Sequence, residues 1–153
     1  MEKVRFERFN LLIDGIHKSI CKIKNDTVLP MGIKSVHVFW LYKLMDHPDG
    51  LTAADLAGEV MIDRSLVSRE IAALKKGGYI HSAEGEGRKY NVPLKLTESG
   101  RQLAERIERE GVKIQELVGA GISDEEIDAF YVTLNKLYEN FKEITKQTPN
   151  EGI

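Results

Sequence analysis

Apolar side chains recur at three- and four-residue intervals in two long stretches, one near each end of the chain. The first covers about residues 4–25 and the second about residues 127–144. Because this spacing places the apolar positions on one side of a helix, both stretches predict long amphipathic helices. A shorter stretch with the same period, about residues 33–45, predicts a further helix after a break at 27–32, which contains Pro30.

Two short helices are predicted in the middle of the chain. The first begins at Thr52, a favourable N-cap that lies three residues before Asp55 as in a capping box, and it ends near Val60. The second begins after Asp63, another N-cap residue, and stops at the glycine pair 77–78. Two short helices joined by a tight connection predict a helix-turn-helix.

A β-hairpin is predicted after the glycine pair. Residues 79–82 favour a strand, the glycines of 84–87 favour a turn, and the apolar alternation of 90–96 predicts a returning strand. Pro93 has no backbone N–H, so the returning strand is expected at a sheet edge. A helix-turn-helix followed by a hairpin is the winged-helix pattern, and the predicted fold class is therefore mainly α with a small β-hairpin wing.

The composition fits a globular protein whose charge is unevenly distributed. Of the 153 residues, 42% are apolar and 30% are charged, and the formal net charge is −2. Residues 62–90 carry six basic and four acidic side chains, so this segment is +2 while the remainder is −4. A basic patch on an acidic body can approach phosphate with one face only.

No export leader or membrane-length apolar run is visible, and Cys21 has no internal disulfide partner, so a cytoplasmic location is expected.

The second short helix carries the candidate chemistry. At about 100° per residue, Val67, Ile71 and Leu74 fall on one side and face the core. The opposite face suits a major groove, since small side chains allow close approach and arginine can bind guanine through two hydrogen bonds. Its members, with Arg64 on the flank, are Arg64, Ser65, Ser68, Arg69, Ala72 and Lys76. The alternative interpretation is an ordinary solvated helix face.

The predicted wing adds two cations. Arg88 and Lys89 lie beside the glycine-containing turn, where an arginine can enter a narrow minor groove. The alternative is a surface loop with charges that aid solubility. A basic wing directly after a basic second helix favours the first interpretation.

Four blocks of this sequence resemble the multiple-antibiotic-resistance regulator (MarR) family. They are 51–57 (LTAADLA), 63–69 (DRSLVSR), 74–80 (LKKGGYI) and 96–100 (LTESG). The resemblance implies a DNA-binding transcriptional regulator, a repressor in the favoured interpretation, that meets a near-palindromic operator as a two-fold homodimer. It also implies that Arg88 is the wing arginine and that Arg69 is the basic position of the recognition helix. Glu86 takes the place of the aspartate that usually braces the wing.

The dimer is also expected from the residues themselves, because the long helices at both ends carry more apolar surface than a small winged domain can cover. We therefore predict an N-terminal dimerisation helix at 1–30, the winged helix-turn-helix at 31–100, C-terminal dimerisation helices at 101–147 and a flexible tail at 148–153, together forming one continuous domain. A winged-helix protein-interaction module without sequence-specific DNA binding is the alternative, supported by the acidic wing residues Glu84 and Glu86.

Relatives in this family also bind small aromatic effectors between the dimer helices and the winged domain. The side chains that could face such a pocket are His17, Met31, His37 and Trp40, with ordinary core packing as the alternative for each one. Cys21 resembles the hydroperoxide-sensing cysteine of one family branch only in its position, and a structural cysteine is the favoured interpretation. No metal-ligand spacing, cofactor motif or catalytic constellation is visible, so we expect no metal, no cofactor and no enzyme activity.

Overall fold

A computed structural model of the protein describes residues 3–60, 64–82 and 92–147. These residues form a mainly helical structure with a two-stranded antiparallel sheet, which confirms the predicted fold class. The elements, in chain order, are α1 (Lys3–Val28), α2 (His37–Asp46), α3 (Ala53–Glu59), α4 (Arg64–Lys76), β1 (Ile80–Ser82), β2 (Leu94–Leu96), α5 (Glu98–Val118) and α6 (Asp124–Gln147).

The chain divides into two compact units, Met1–Lys113 and Ile114–Ile153. The first, called the winged unit here, contains α1 to α4, both strands and most of α5. The second, called the terminal unit, contains the end of α5 and all of α6. The predicted tail at 148–153 lies outside the described residues.

The core of the winged unit is built where α3 packs against α2 and α4, α2 packs against β2, and α4 packs against β1. Trp40, Leu41 and Leu56 are 0% exposed, and Leu74 of α4 is 1% exposed. Burying side chains of this size is worth about 1.5–3 kcal/mol each, so this core stabilises the packing of the winged unit, including that of α4 through Leu74.

The predicted capping box at the start of α3 is confirmed. The backbone N–H of Asp55 donates to Thr52 Oγ1 at 3.2 Å, and the Thr52 N–H donates to Asp55 Oδ2 at 3.4 Å. The end of α4 at the glycine pair is confirmed as well, because Gly78 takes a φ of +74°, a left-handed conformation that suits glycine. The start of α3 and the end of α4 therefore both lie where the local sequence signals place them.

The two strands are shorter than predicted. Ile80 pairs with Leu96 and Ser82 with Leu94, and the intervening residues 83–91 lie outside the described part of the chain. Among the described residues the sheet has two strands, so β2 lies at an edge, as expected from Pro93. Leu94 also exchanges backbone hydrogen bonds of 2.8 and 3.1 Å with Leu51 in an isolated bridge. Pro93 directly precedes the strand, so its missing N–H does not interrupt the pairing on either side.

The helix boundaries near Pro30 also differ from the prediction. Helix α1 continues to Val28, and Pro30 lies in a single 3-10 turn, Leu29–Met31, where its missing N–H is tolerated. Helix α2 begins at His37 rather than near residue 33. Gly32 has a φ of +76°, and the Lys34 N–H donates to the His37 ring instead of to a helical carbonyl.

In the terminal unit, Gly121 with a φ of +81° separates α5 from α6. A capping box begins α6, since the Ser123 N–H donates to Glu126 Oε2 at 2.9 Å and the Glu126 N–H donates to Ser123 Oγ at 3.3 Å. Large apolar side chains on this unit are nevertheless exposed, among them Leu117 at 78% and Phe130 at 54%.

Candidate nucleic-acid interface

Helix α4 is the second helix of the helix-turn-helix, and it packs against α3 and β1. Val67 and Leu74 are buried, and Ile71 packs against the same core. The inward side predicted from the 3.6-residue period is therefore confirmed.

The opposite side of α4 is exposed to solvent. All four predicted contact residues whose side chains are described lie there: Ser68, Arg69, Ala72 and Lys76. Arg64 and Ser65 belong to the first turn of α4, but their side chains fall outside the described set. The wing residues Glu84, Glu86, Arg88 and Lys89 also lie outside the described residues.

The C-terminal end of α4 is fixed to the start of α5. Thr97 Oγ1 donates to the Gly78 carbonyl at 2.6 Å and accepts the Gly100 N–H at 3.0 Å, so one hydroxyl links the two helix ends. A Cβ at Gly100 would overlap the backbone carbonyl oxygen of Tyr79. This close approach gives a physical reason for threonine and glycine in the block 96–100, which the sequence alone presented only as a resemblance.

The middle of α4 is fixed by a polar network that the sequence did not reveal. Glu70 is 7% exposed and accepts hydrogen bonds from Lys34 Nζ at 2.9 and 3.1 Å and from His37 Nε2 at 2.7 Å. No role for Glu70 was assigned from the sequence. Glu70, however, falls three residues after Val67 and four before Leu74, so its position on the apolar stripe was the available signal.

The protonation states in this network follow from its geometry. Because the Lys34 backbone N–H donates to His37 Nδ1 at 3.3 Å, the ring is an acceptor at that nitrogen and carries its proton on Nε2. Burial lowers the pKa of His37 despite the opposing effect of Glu70. The hydrogen bond from Lys34 lowers the pKa of Glu70 below its ordinary value, with a smaller contribution from His37. The structure therefore holds a carboxylate between an ammonium group and a neutral imidazole.

The four predicted pocket residues fall into two environments. Trp40 and His37 are buried, and Met31 packs against the same core. His17 is exposed on α1, where its Nε2 lies 3.6 Å from Cys21 Sγ. Among the described side chains, the Nε1–H of Trp40 is buried without a hydrogen-bond partner. Thus Trp40 and His37 are buried in the winged unit and Met31 packs against its core, whereas His17 is exposed.

Within the described ranges, no cluster of three or more His, Cys, Asp or Glu residues is arranged to hold a metal ion. None of the described helices has both the length and the apolar character that crossing a bilayer requires.

No family model matches the chain. A curated relative, the uncharacterized HTH-type transcriptional regulator YybA of Bacillus subtilis (strain 168), is 24% identical over 130 residues, which cover 85% of this chain and 86% of the relative.

Solved structures resemble the fold over nearly the whole chain. A putative MarR family transcriptional regulator from Listeria monocytogenes, complexed with 26mer DNA, superposes with a TM-score of 0.76 at 23% identity and covers 99% of both chains. Staphylococcus aureus MarR, in complex with salicylate and kanamycin, superposes with a TM-score of 0.77 at 21% identity and covers 96% of both chains. The described helix-turn-helix, the paired strands and the long helices on either side therefore have the winged-helix fold of the MarR-family transcriptional regulators.

Proposed function

We propose that the protein is a DNA-binding transcriptional regulator that reads double-stranded DNA through α4. The observation that carries this proposal is the exposed face made of Ser68, Arg69, Ala72 and Lys76 on the second helix of the helix-turn-helix. Ser68 and Ala72 are short enough to let the helix backbone approach base edges, while Arg69 and Lys76 can bind guanine or phosphate. Arg64 and Ser65 extend this face into the first turn of α4 in the proposal.

The wing belongs to the same proposal. Arg88 enters the minor groove, Lys89 contacts phosphate, and Glu86 braces the wing, as the family resemblance implies. The similar fold of the Listeria monocytogenes protein, whose structure contains 26mer DNA, supports DNA as the partner.

The protein acts as a homodimer in this proposal. Leu12, Ile16 and Ile20 of α1 are each at least 44% exposed and share one face of that helix, and Phe130 of α6 is 54% exposed. Apolar surface of this extent is normally covered, and a second copy of the chain would cover it. A two-fold dimer then places two copies of α4 in major grooves about 10 base pairs apart.

The dimer is tested by Ile16→Glu, which puts a charge on the apolar face of α1. We expect sedimentation equilibrium to give the dimer mass for the wild type and the monomer mass for this variant. Lys18→Glu is the matched control because it places the same carboxylate on the opposite face of α1. A dimeric Ile16→Glu variant would contradict the proposed role of α1.

DNA binding is tested by selecting bound sequences from a random pool of duplex DNA. We expect an enriched near-palindrome whose affinity falls steeply with salt, because phosphate contacts release counterions. Arg69→Ala should weaken binding to the enriched sequence by about 5- to 150-fold, the range for losing one arginine contact to a base. Arg106→Ala removes another exposed charge, from α5, and should have little effect. No enrichment, or binding insensitive to salt, would favour a protein-interaction module instead.

We further propose that the regulator is a cytoplasmic repressor released from DNA by a small aromatic effector. The partnerless Nε1–H of Trp40 supports a ligand acceptor at Trp40, and Met31 and His37 are the other described pocket candidates in this proposal. The similar fold of the Staphylococcus aureus protein, whose structure contains salicylate, indicates the ligand class. Because Trp40 is the single tryptophan of the chain, its fluorescence during a salicylate titration tests the site directly. If saturating salicylate changed neither the fluorescence of Trp40 nor the DNA affinity, the proposed effector site would be contradicted for salicylate.

A further inference from the structure

Two kinds of contact hold α4 on the winged unit, and they constrain the helix differently. Val67 and Leu74 bury apolar surface, which stabilises α4 but tolerates small rotations about its axis because the hydrophobic effect has no direction. The hydrogen bonds of Glu70 with Lys34 and His37 have defined lengths and angles. Glu70 also directly follows Arg69, so any rotation at Glu70 moves the exposed face by the same angle.

We propose that Glu70 is a positioning residue for DNA recognition, which with Lys34 and His37 sets the rotation of α4 and hence its sequence specificity. This inference rests on the proposed DNA-binding function. Both carboxylate oxygens of Glu70 are engaged, Oε1 by Lys34 and Oε2 by Lys34 and His37. The two donors are only three residues apart, and His37 is the first residue of α2. Glu70 therefore ties α4 to one short, locally fixed segment.

Stability alone is a weak reason for a carboxylate at this position. Replacing a buried ion pair by apolar side chains of similar volume is often neutral or stabilising, because desolvation offsets most of the Coulomb attraction. A negative charge on a DNA-facing helix also disfavours phosphate nearby. The directional geometry is the property of Glu70 that an apolar side chain could not reproduce.

Glu70→Gln separates positioning from charge because the two effects have opposite signs. Removing a negative charge should leave binding to random duplex DNA unchanged or tighter. Loss of the fixed rotation should weaken binding to the selected sequence by about tenfold, the cost of one poorly aligned base contact. The expected result is therefore a lower ratio of selected to random affinity, measured by fluorescence anisotropy at one salt concentration.

Glu59→Gln is the matched control. Glu59 forms a 3.0 Å ion pair with Lys43 that joins α2 to α3 without involving α4, and the substitution removes the same charge. The ratio of selected to random DNA affinity in Glu59→Gln should equal that of the wild type. An unchanged ratio in Glu70→Gln, or an equal fall in both variants, would overturn the inference. If Glu70→Gln fails to fold, Lys34→Met tests the same link, since Lys34 contributes a side chain that is 60% exposed.

Two substitutions at His37 separate the link to Glu70 from the local turn. The side-chain amide of His37→Gln can still donate where Nε2 donates, whereas the side-chain oxygen of His37→Asn can still accept the Lys34 N–H but does not reach Glu70. We expect His37→Gln to keep the affinity ratio and His37→Asn to lower it. The reverse order would assign the effect to the turn and overturn the role of Glu70.

Failure of the proposed function gives a different result from failure of this inference. A wild type that does not discriminate between the two DNAs overturns the function and the recognition role of Glu70. Amide hydrogen exchange at pH 7, without DNA, then tests whether Glu70 holds α4 in place. Faster exchange in α4 for Glu70→Gln than for Glu59→Gln supports the link, and equal exchange overturns it.

Discussion

The helix-turn-helix core and the long helices α1 and α6 contain similar kinds of apolar side chain but bury them to very different extents. Trp40 and Leu56 in the core are 0% exposed, whereas Ile16 of α1 is 51% exposed and Phe130 of α6 is 54% exposed. The core thus buries its own apolar side chains within one chain. The long helices are amphipathic elements whose apolar faces remain largely open to solvent.

The polar contacts of the core and of the long helices also differ. Glu70 in the core is nearly buried and bonds to two residues that are distant in sequence. The described ion pairs of α6, Lys142–Glu139 and Lys146–Glu143, join residues three apart on an exposed helix surface. Such exposed pairs are screened by solvent and contribute little to stability. The comparison teaches that the described polar contacts of the core join residues distant in sequence, whereas these ion pairs of α6 join neighbours on one helix.

The largest expected effect compares a buried leucine of the core with an exposed leucine at the end of α5, in the terminal unit. Leu56→Ala should lower the free energy of unfolding by about 2–5 kcal/mol, because it opens a cavity in a closed core. Leu117→Ala, at a side chain 78% exposed, should change it by about 0.5 kcal/mol or less. Urea unfolding followed by circular dichroism measures both. A cost for Leu117→Ala that grows with protein concentration would place Leu117 in a contact between copies, and equal costs at all concentrations would break the comparison.

A pair of glycines gives the next largest effect, with opposite signs. Gly100→Ala should destabilise the winged unit by about 1–3 kcal/mol, since its Cβ would meet the Tyr79 carbonyl and force the backbone to shift. Gly15→Ala in α1 has nothing within 4 Å of the new Cβ and should stabilise that helix by about 1 kcal/mol. Thermal unfolding of the two variants tests this, and equal signs would show that α1 is more closely packed than its exposure indicates.

The sequence predicted local features of both regions and missed a long-range one. The capping boxes at Thr52 and Ser123 depend on residues three apart, so a single sequence contains the whole signal. Glu70 could not be placed, because its burial depends on Lys34 and His37, which lie 36 and 33 residues earlier in the chain. A carboxylate on an apolar stripe indicates that a partner exists but does not identify it.

The start of α2 was missed for a related reason. Periodicity extends back to Ile33, but the side chain of His37 accepts the Lys34 N–H and so replaces the first helical turn.

The outward face of α4 was predictable because it is the complement of a regular apolar stripe. The DNA-contact roles of that face and of Arg88 stay predictions.

The two capping boxes allow a smaller, matched test. Thr52→Ala and Ser123→Ala each remove a hydroxyl that accepts a backbone N–H at 3.2 and 3.3 Å, and each loss should cost about 1 kcal/mol. Thr52→Ala should lower the urea midpoint of the winged unit, because α3 belongs to its core. Ser123→Ala should mainly speed amide exchange in the first turn of α6. A fall in the winged-unit midpoint of equal size in both variants would show that α6 unfolds together with the core.

The smallest expected effect is a pH dependence that the core should show through His37. Burial lowers the pKa of His37 below its ordinary value of 6.5, so the unfolded chain binds a proton at a higher pH than the folded one. Stability that is fully present above pH 6.5 is therefore lost as the pH falls from 6.5 towards the lowered pKa. The lowered pKa of Glu70 acts in the same direction but only at more acidic pH, as the pH falls below its ordinary value of 4.5.

Urea unfolding of the wild type and His37→Gln between pH 7 and pH 5 isolates the histidine, since the variant has no imidazole in either the folded or the unfolded state. We expect the wild type to lose more stability than the variant over this interval, and the two slopes to agree above pH 7. Amide exchange in α6, corrected for the intrinsic effect of pH, should differ little between the two proteins, because His37 bonds to α4. A wild type that gains stability towards pH 5 relative to His37→Gln would mean that the folded ring is protonated beside Glu70. The neutral-imidazole geometry, and with it the contrast between a directional core and locally paired helices, would then be wrong.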